Sequence, residues 1–305
     1  MDNMTAKVSC FARAYHYKNN AVHIFADTAA EQLLGEDYGQ IAESMTAGLP
    51  FFFPDFKGTK EEGLRLIVEK QLAPSVLGRS AYCEDALAGA RKQGCTQYVL
   101  FACGYDTFSL RNQDAWLQVF ELDFPELLRD KAERIEKAEL HSSAVSVPCN
   151  LAEPAWKEQL SAAGFDRGEK SFGSLLGISY YLTKEEFERL LRNISEIMAD
   201  GSLLCFDYPC TEESRETKTN QALAAAAGEQ MQALYAEQEM QSLLERCGFA
   251  MAEHLHHQEM TDRYFSAYNA ENPEHRMAAP VGVGYVLAVK GKGSQALYNG
   301  KFPSE

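Results

Sequence analysis

Two residues about twenty positions apart carry the first chemical signal in this chain. Gly104 follows the apolar run Tyr98-Val99-Leu100-Phe101-Ala102-Cys103, and Asp123 closes the run Gln118-Val119-Phe120-Glu121-Leu122. A glycine at the end of a strand has no Cβ, so a ligand can come close to the backbone there. An acid at the end of the next strand can accept from both hydroxyls of a ribose. Strand, glycine turn, strand, acid is therefore a physical scheme for holding a nucleoside. Glu121, two residues earlier on the same strand face, is a second acid suited to that role. The same residues also suit an ordinary buried strand and turn. Of the three glycines in the full dinucleotide pattern, only Gly104 is present.

Other reactive side chains give weaker signals. Tyr180, Tyr181, Tyr208 and Tyr264 could face a substrate, although packing is the simpler reading of a tyrosine. His254, His256 and His257 lie close together in a strand-like stretch; a metal site is one reading of them, but without an evident carboxylate partner the structural reading is preferred and no metal is expected. The 8 cysteines stand at 10, 83, 95, 103, 149, 205, 210 and 247. No pair has the spacing of a zinc knuckle or a redox dithiol, and several sit inside apolar runs as small hydrophobes.

Composition narrows the classes. A chain of 305 residues suits one large α/β domain or somewhat more. Net charge is −15, which argues against nucleic acid and anionic membrane as main partners, since both need clustered Lys and Arg. There is no apolar leader and no apolar run of about 18 residues. A cytoplasmic protein is expected.

The elements that must position Gly104 and Asp123 read as alternating strands and helices. Further strands are expected at Ala144-Val145-Ser146-Val147, Ser171 to Ile178, Leu203 to Asp207, 251–258 and Gly282 to Lys290. A helix is expected from Ser80 to Gln93, with Ser80 as its N-cap, Arg79 just before it, Gly94 after it, and Pro74 ending an earlier helix. Asn150 with Glu153 suggests a further cap. Thr183 and Glu186 form a capping box ahead of Phe187, Leu190, Leu191, Ile194 and Ile197 at helical spacing. Phe51-Phe52-Phe53 suggests a satellite core. Seven strands separated by helices make a doubly wound α/β sandwich. No crossover-length helix is expected between Glu259 and Pro280, so the last strand can run antiparallel.

These pieces in this order resemble the leucine carboxyl methyltransferase family. The resemblance rests on Arg79, the stretch Gln97 to Thr107, Phe120-Glu121-Leu122-Asp123-Phe124-Pro125-Glu126, Asn150-Leu151, Tyr181-Leu182 and Phe206-Asp207-Tyr208. Arg13-Ala14-Tyr15-His16 and Ile24-Phe25-Ala26-Asp27 are similar to the N-terminal cap of bacterial members. The resemblance implies a Rossmann-like, doubly wound seven-stranded sheet, mostly parallel with the last strand antiparallel. It implies a helical cap over residues 1–78 and a domain over 79–305 that binds S-adenosylmethionine; within that domain the polar, then alanine-rich stretch 210–235 is itself read as a lid. By the same resemblance Arg79 pairs with the methionine carboxylate, Gly104 offers backbone, Asp123 takes the ribose, and Asn150 and Leu151 frame the adenine. The implied activity is O-methylation of a carboxylate or hydroxyl on a small molecule or peptide; no catalytic base is assigned. Three positions depart from the pattern: Ala102 replaces a glycine, Asn150 an acid, and Leu176 a glutamate. The Asn150 carbonyl can still accept from an amine, whereas Ala102 and Leu176 keep open a catalytically weak protein that binds S-adenosylmethionine or S-adenosylhomocysteine. A nicotinamide-dependent oxidoreductase is the third reading, disfavoured by the missing glycines.

Overall fold

The computed structural model describes residues 3–211 and 233–291. Its centre is a seven-stranded sheet: β1 Gln97–Phe101, β2 Gln118–Asp123, β3 Ala144–Pro148, β4 Ser171–Leu175, β5 Leu203–Pro209, β6 Phe249–Leu255 and β7 Val283–Lys290. The strand order is β3-β2-β1-β4-β5-β7-β6. The first five strands are parallel neighbours, and β7 runs antiparallel between β5 and β6. The sheet is thus mostly parallel with an antiparallel last strand, as the sequence suggests.

Alternation along the strands divides the core. Tyr98, Leu100, Phe172, Cys205 and Leu287 pack on one face. Val99, Phe101, Phe120, Leu204 and Phe206 pack on the other. Helix α1 (Met4–Asn19) and helix α6 (Ala73–Lys92) cover the first face. On the second face lies α10 (Lys184–Ile197), started by the expected Thr183–Glu186 capping box and burying Phe187, Leu190, Leu191, Ile194 and Ile197. Met240, Leu243 and Leu244 of α11 (Glu237–Arg246) join them there.

Between α1 and α6 lie α2 (Ala30–Leu34), α3 (Asp37–Ala47), α4 (Leu49–Phe52) and α5 (Lys60–Ile67). Phe51 is 71% exposed, so the aromatic run forms no closed satellite core. Helix α5 does not end at Pro74. It continues through a π-helical turn, Val68–Leu72, into α6. Proline has no N–H to close the ordinary turn; Pro74 enters at the first turn of α6, just after the wider π turn, in which the Ala73 N–H reaches the Val68 carbonyl. Arg79 and Ser80 therefore sit inside a helix rather than at its start, and a boundary before Arg79 falls within α6. The predicted C-terminus holds: the N–H groups of Gly94 and Cys95 close back on the Arg91 and Ala90 carbonyls, with Gly94 at φ +87°.

The second departure lies between β6 and β7. Helix α12 (His257–Met260), a π turn (Thr261–Phe265) and α13 (Ser266–Glu271) form one helical stretch. Its buried anchors Met260 and Phe265 are five apart, a spacing α-helical periodicity rejects and a π turn accommodates.

Candidate cofactor and active site

The ends of five parallel strands line up along one edge of the sheet. In spatial order they lead into Asn150, Asp123, Gly104, Gly177 and the close of β5 at Pro209. In an open α/β sheet this carboxyl edge is where ligands bind.

After β1 the chain turns sharply. Ala102 (φ +54°) and Gly104 (φ +52°) both take the left-handed conformation. The Gly104 N–H donates to Asp123 Oδ2 at 2.8 Å, and the Phe124 N–H donates to Asp123 Oδ1 at 2.8 Å. Each carboxylate oxygen thus holds one backbone donor and keeps a further acceptor direction. Two such oxygens side by side match a vicinal diol. Burial pushes the Asp123 carboxyl above its usual range, against the pull of the two backbone donors. Glu121 is already engaged: Lys131 Nζ lies 2.7 Å from one oxygen and Ser109 Oγ 2.6 Å from the other.

Asn150 follows β3 next to this turn, where the Cys149 N–H donates to the Asp123 carbonyl at 2.8 Å. It starts no helix. Its Oδ1 accepts from the Ala152 N–H in a local turn, and the next helix, Trp156–Ala162, begins only six residues further on. Leu151 beside it is half-buried.

Arg79 belongs to a second cluster, at β4 and β5. Its guanidinium lies 3.5 Å from Asp207 Oδ2, and Asp207 is fully buried. Asp207 also accepts from the Gly177 N–H at 2.7 Å and the Tyr180 hydroxyl at 2.9 Å. Gly177 has φ +68°, and a Cβ there would fall 2.5 Å from an Arg79 nitrogen. The guanidinium rests against bare backbone, a close approach that requires glycine. Tyr180 thus holds Asp207, whereas Tyr208 faces the other side of β5 and bonds His254. Tyr264 bonds Asp85.

The N-terminal helices reach this edge. A Cβ on Gly104 would touch Ala6 of α1 at 3.4 Å. Arg13 of α1 donates to Asp27 at 2.7 Å and to the Tyr105 carbonyl at 2.7 Å, and Thr107 donates to Asp27 at 2.7 Å. Single-residue reading had no signal for this link, because its members are far apart in sequence. It also missed the carboxylate near the histidines: Glu237 at the start of α11 reaches both His254 and His256. Most of the 210–235 stretch lies outside the described residues.

Comparison with known proteins gives the kinship of the chain. The leucine carboxyl methyltransferase family profile matches residues 6–195. A protein of Bacillus subtilis (strain 168), YktD, named as an S-adenosyl-L-methionine-dependent methyltransferase, is 32% identical over 94% of this chain and 98% of its own length. Two solved structures share the fold. A DUF574 family protein from Streptomyces avermitilis aligns with a TM-score of 0.57 at 14% identity, covering 94% of this chain and 97% of the other. A structure from Thermobifida fusca YX, titled as a methyltransferase, aligns at 0.55 and 13% identity, covering 94% of each. Fold and kinship define an S-adenosylmethionine-dependent methyltransferase. Within that class, the chain belongs to the leucine carboxyl methyltransferase family.

Proposed function

We propose that this enzyme O-methylates a carboxylate or hydroxyl on a small molecule or peptide, with the cofactor held by Arg79, Gly104, Asp123, Asn150 and Leu151. The carrying observation is the Asp123 carboxylate, whose two oxygens are each fixed by one backbone N–H and left with acceptor capacity for a ribose diol. Arg79, 16% exposed over its side chain, supplies the cation for the methionine carboxylate. Methyl transfer is an in-line displacement at a sulfonium. The bound cofactor supplies the reactive methyl, and the protein supplies approach and a dry site. The N-terminal helices, joined to the β1 turn through Asp27, form the cover that excludes water.

Room for an acceptor exists beside α6. A cavity of about 550 Å³ lies between the two π turns, lined by Glu69, Gln71, Ser75, His257, Asn269 and Arg276 among others. It lies toward the carboxyl edge, because Leu255 and Val283, the ends of β6 and β7 nearest these segments, pair with Tyr285 and Pro209. Ser75 and Arg79 are one helical turn apart, which puts cavity and cofactor cation on one helix face. The lining mixes polar side chains such as His257 and Asn269 with apolar ones such as Pro74 and Met277, so an acceptor of mixed polarity fits. An ionised carboxylate needs no general base, whereas a hydroxyl acceptor calls on one.

The test is transfer of labelled methyl from S-adenosylmethionine to panels of small carboxylic acids, phenols and peptides. Base-labile product marks a carboxyl ester, and base-stable product an ether. Replacing Ser75 with Phe is expected to abolish transfer while S-adenosylhomocysteine still binds. Retained transfer moves the acceptor out of this cavity. Leu176, where the family pattern has a glutamate, favours a second reading: binding of the cofactor with no transfer to any panel member.

A further inference from the structure

We propose that Glu237, His254 and His256 form a binding site for a divalent transition ion of the zinc class, separate from the cofactor site. His254 is on β6 and His256 follows just past its end, two residues apart and so on one face of the strand. Glu237 opens α11 beside them. Its Oε2 lies 3.2 Å from His256 Nε2 and its Oε1 3.9 Å from His254 Nδ1. One donor atom from each residue falls within 4.8 Å of the others. Around a tetrahedral zinc with bonds of about 2.0–2.2 Å, donor atoms stand roughly 3.3 Å apart, so small side-chain rotations close the set. Two imidazoles and one carboxylate suit zinc, cobalt and nickel, and leave positions open to water.

The surroundings orient the inner histidine for this use. The far nitrogen of His254, Nε2, lies 3.0 Å from the Tyr208 hydroxyl. With Tyr208 accepting the Nε2 proton, the lone pair stands on Nδ1, which faces Glu237; a hydrogen bond at the far ring nitrogen is how metal-binding histidines are fixed. The contact spans β7 because residue 284 is glycine. A Cβ there would lie 2.5 Å from the Tyr208 ring and 2.9 Å from His254 Nε2. The ion would tie the edge strand β6 to the start of α11. It has no part in methyl transfer.

The experiment uses the full chain, tag-free and treated with chelator, titrated with Zn²⁺ by calorimetry and with Co²⁺ by visible absorption. Expected is one ion per chain at micromolar affinity, a cobalt spectrum without thiolate charge transfer, and a higher melting temperature with zinc. His254→Ala and His256→Ala are each expected to weaken binding by at least about tenfold, and Tyr208→Phe by about tenfold. His256 is exposed, so its variant keeps the fold, checked by circular dichroism. Binding that does not saturate at millimolar zinc overturns the proposal. So does equal affinity in the His256 variant, or a thiolate band, which would point to the half-buried Cys210.

Discussion

Arg13 Nε donates to Asp27 at 2.7 Å, and both side chains are buried, Asp27 completely. Asp27 also accepts from Thr107 and has Arg111 at 3.5 Å, so one carboxylate joins the N-terminal helices to the loop after β1. Asp27→Asn leaves Arg13 buried with only a carbonyl and a neutral amide. The expected loss is about 3 kcal/mol in urea unfolding. Burial pushes the Asp27 carboxyl up, but Arg13, Arg111 and the Thr107 hydrogen bond together hold it below its usual 3.8. A depressed carboxyl stabilises the fold above its unfolded value, so this contribution fades only as pH falls below about 3.8. A variant as stable as the parent at neutral pH would show that the link is dispensable.

The two acids of β2 divide their tasks. Asp123→Ala is expected to weaken S-adenosylhomocysteine binding by about 1.5–3 kcal/mol, the scale of hydrogen bonds to a charged group. Glu121→Ala instead leaves Lys131 buried and unpaired, at a cost of about 3 kcal/mol in stability, with cofactor affinity kept. Calorimetric titration with the nucleoside, alongside thermal unfolding, separates the two effects. Interchanged results would move the ribose to Glu121. NAD is expected to bind neither variant nor parent.

Gly177→Ala tests the Arg79 position. The new Cβ meets the guanidinium at 2.5 Å and sits at φ +68°. The arginine must swing away, and nucleoside affinity is expected to fall about tenfold or more, with stability lower by about 1 kcal/mol. S-adenosylhomocysteine and adenosine titrated side by side give the readout. Only the former carries a carboxylate, so only its binding should suffer. Equal losses for both would place Arg79 away from the methionine end.

Ala102→Gly is expected to stabilise the protein. Ala102 holds φ +54°, which costs an L-residue roughly 1–2 kcal/mol relative to glycine. Part of that gain is offset by the greater freedom of glycine in the unfolded chain, leaving about 0.5–1 kcal/mol. A rise in the urea midpoint without a change in slope would confirm it. A fall would mean the alanine methyl packs better than the turn is strained.

His16 predicts an acid-sensitive stability. It is 2% exposed, and its Nε2 accepts the Ile24 N–H at 2.9 Å. Burial, then His23 and Arg65, lower it from 6.5 to about 3. The unfolded chain binds this proton more tightly, so stability is full above 6.5 and falls as pH drops toward 3. Between pH 7 and pH 5 the expected loss from this group is about 2 kcal/mol. His16→Gln should flatten that part of the profile, and an unchanged slope would assign it elsewhere.

The sequence by itself determined the sheet and its ligand edge. Short apolar strands, Gly104, Asp123 and the Thr183–Glu186 cap are local signals, written within a few residues of where they act. What tertiary structure decided is whatever depends on residues far apart meeting. Asp27 finds Thr107, Glu237 finds His254 and His256, and Arg79 finds Gly177 and Asp207 only through packing. Helix α6 kept Pro74 because a π turn precedes it, and Met260 and Phe265 share a face because a π turn separates them. Periodicity fails in both places because it assumes 3.6 residues per turn, and only the packed helix shows where that count changes.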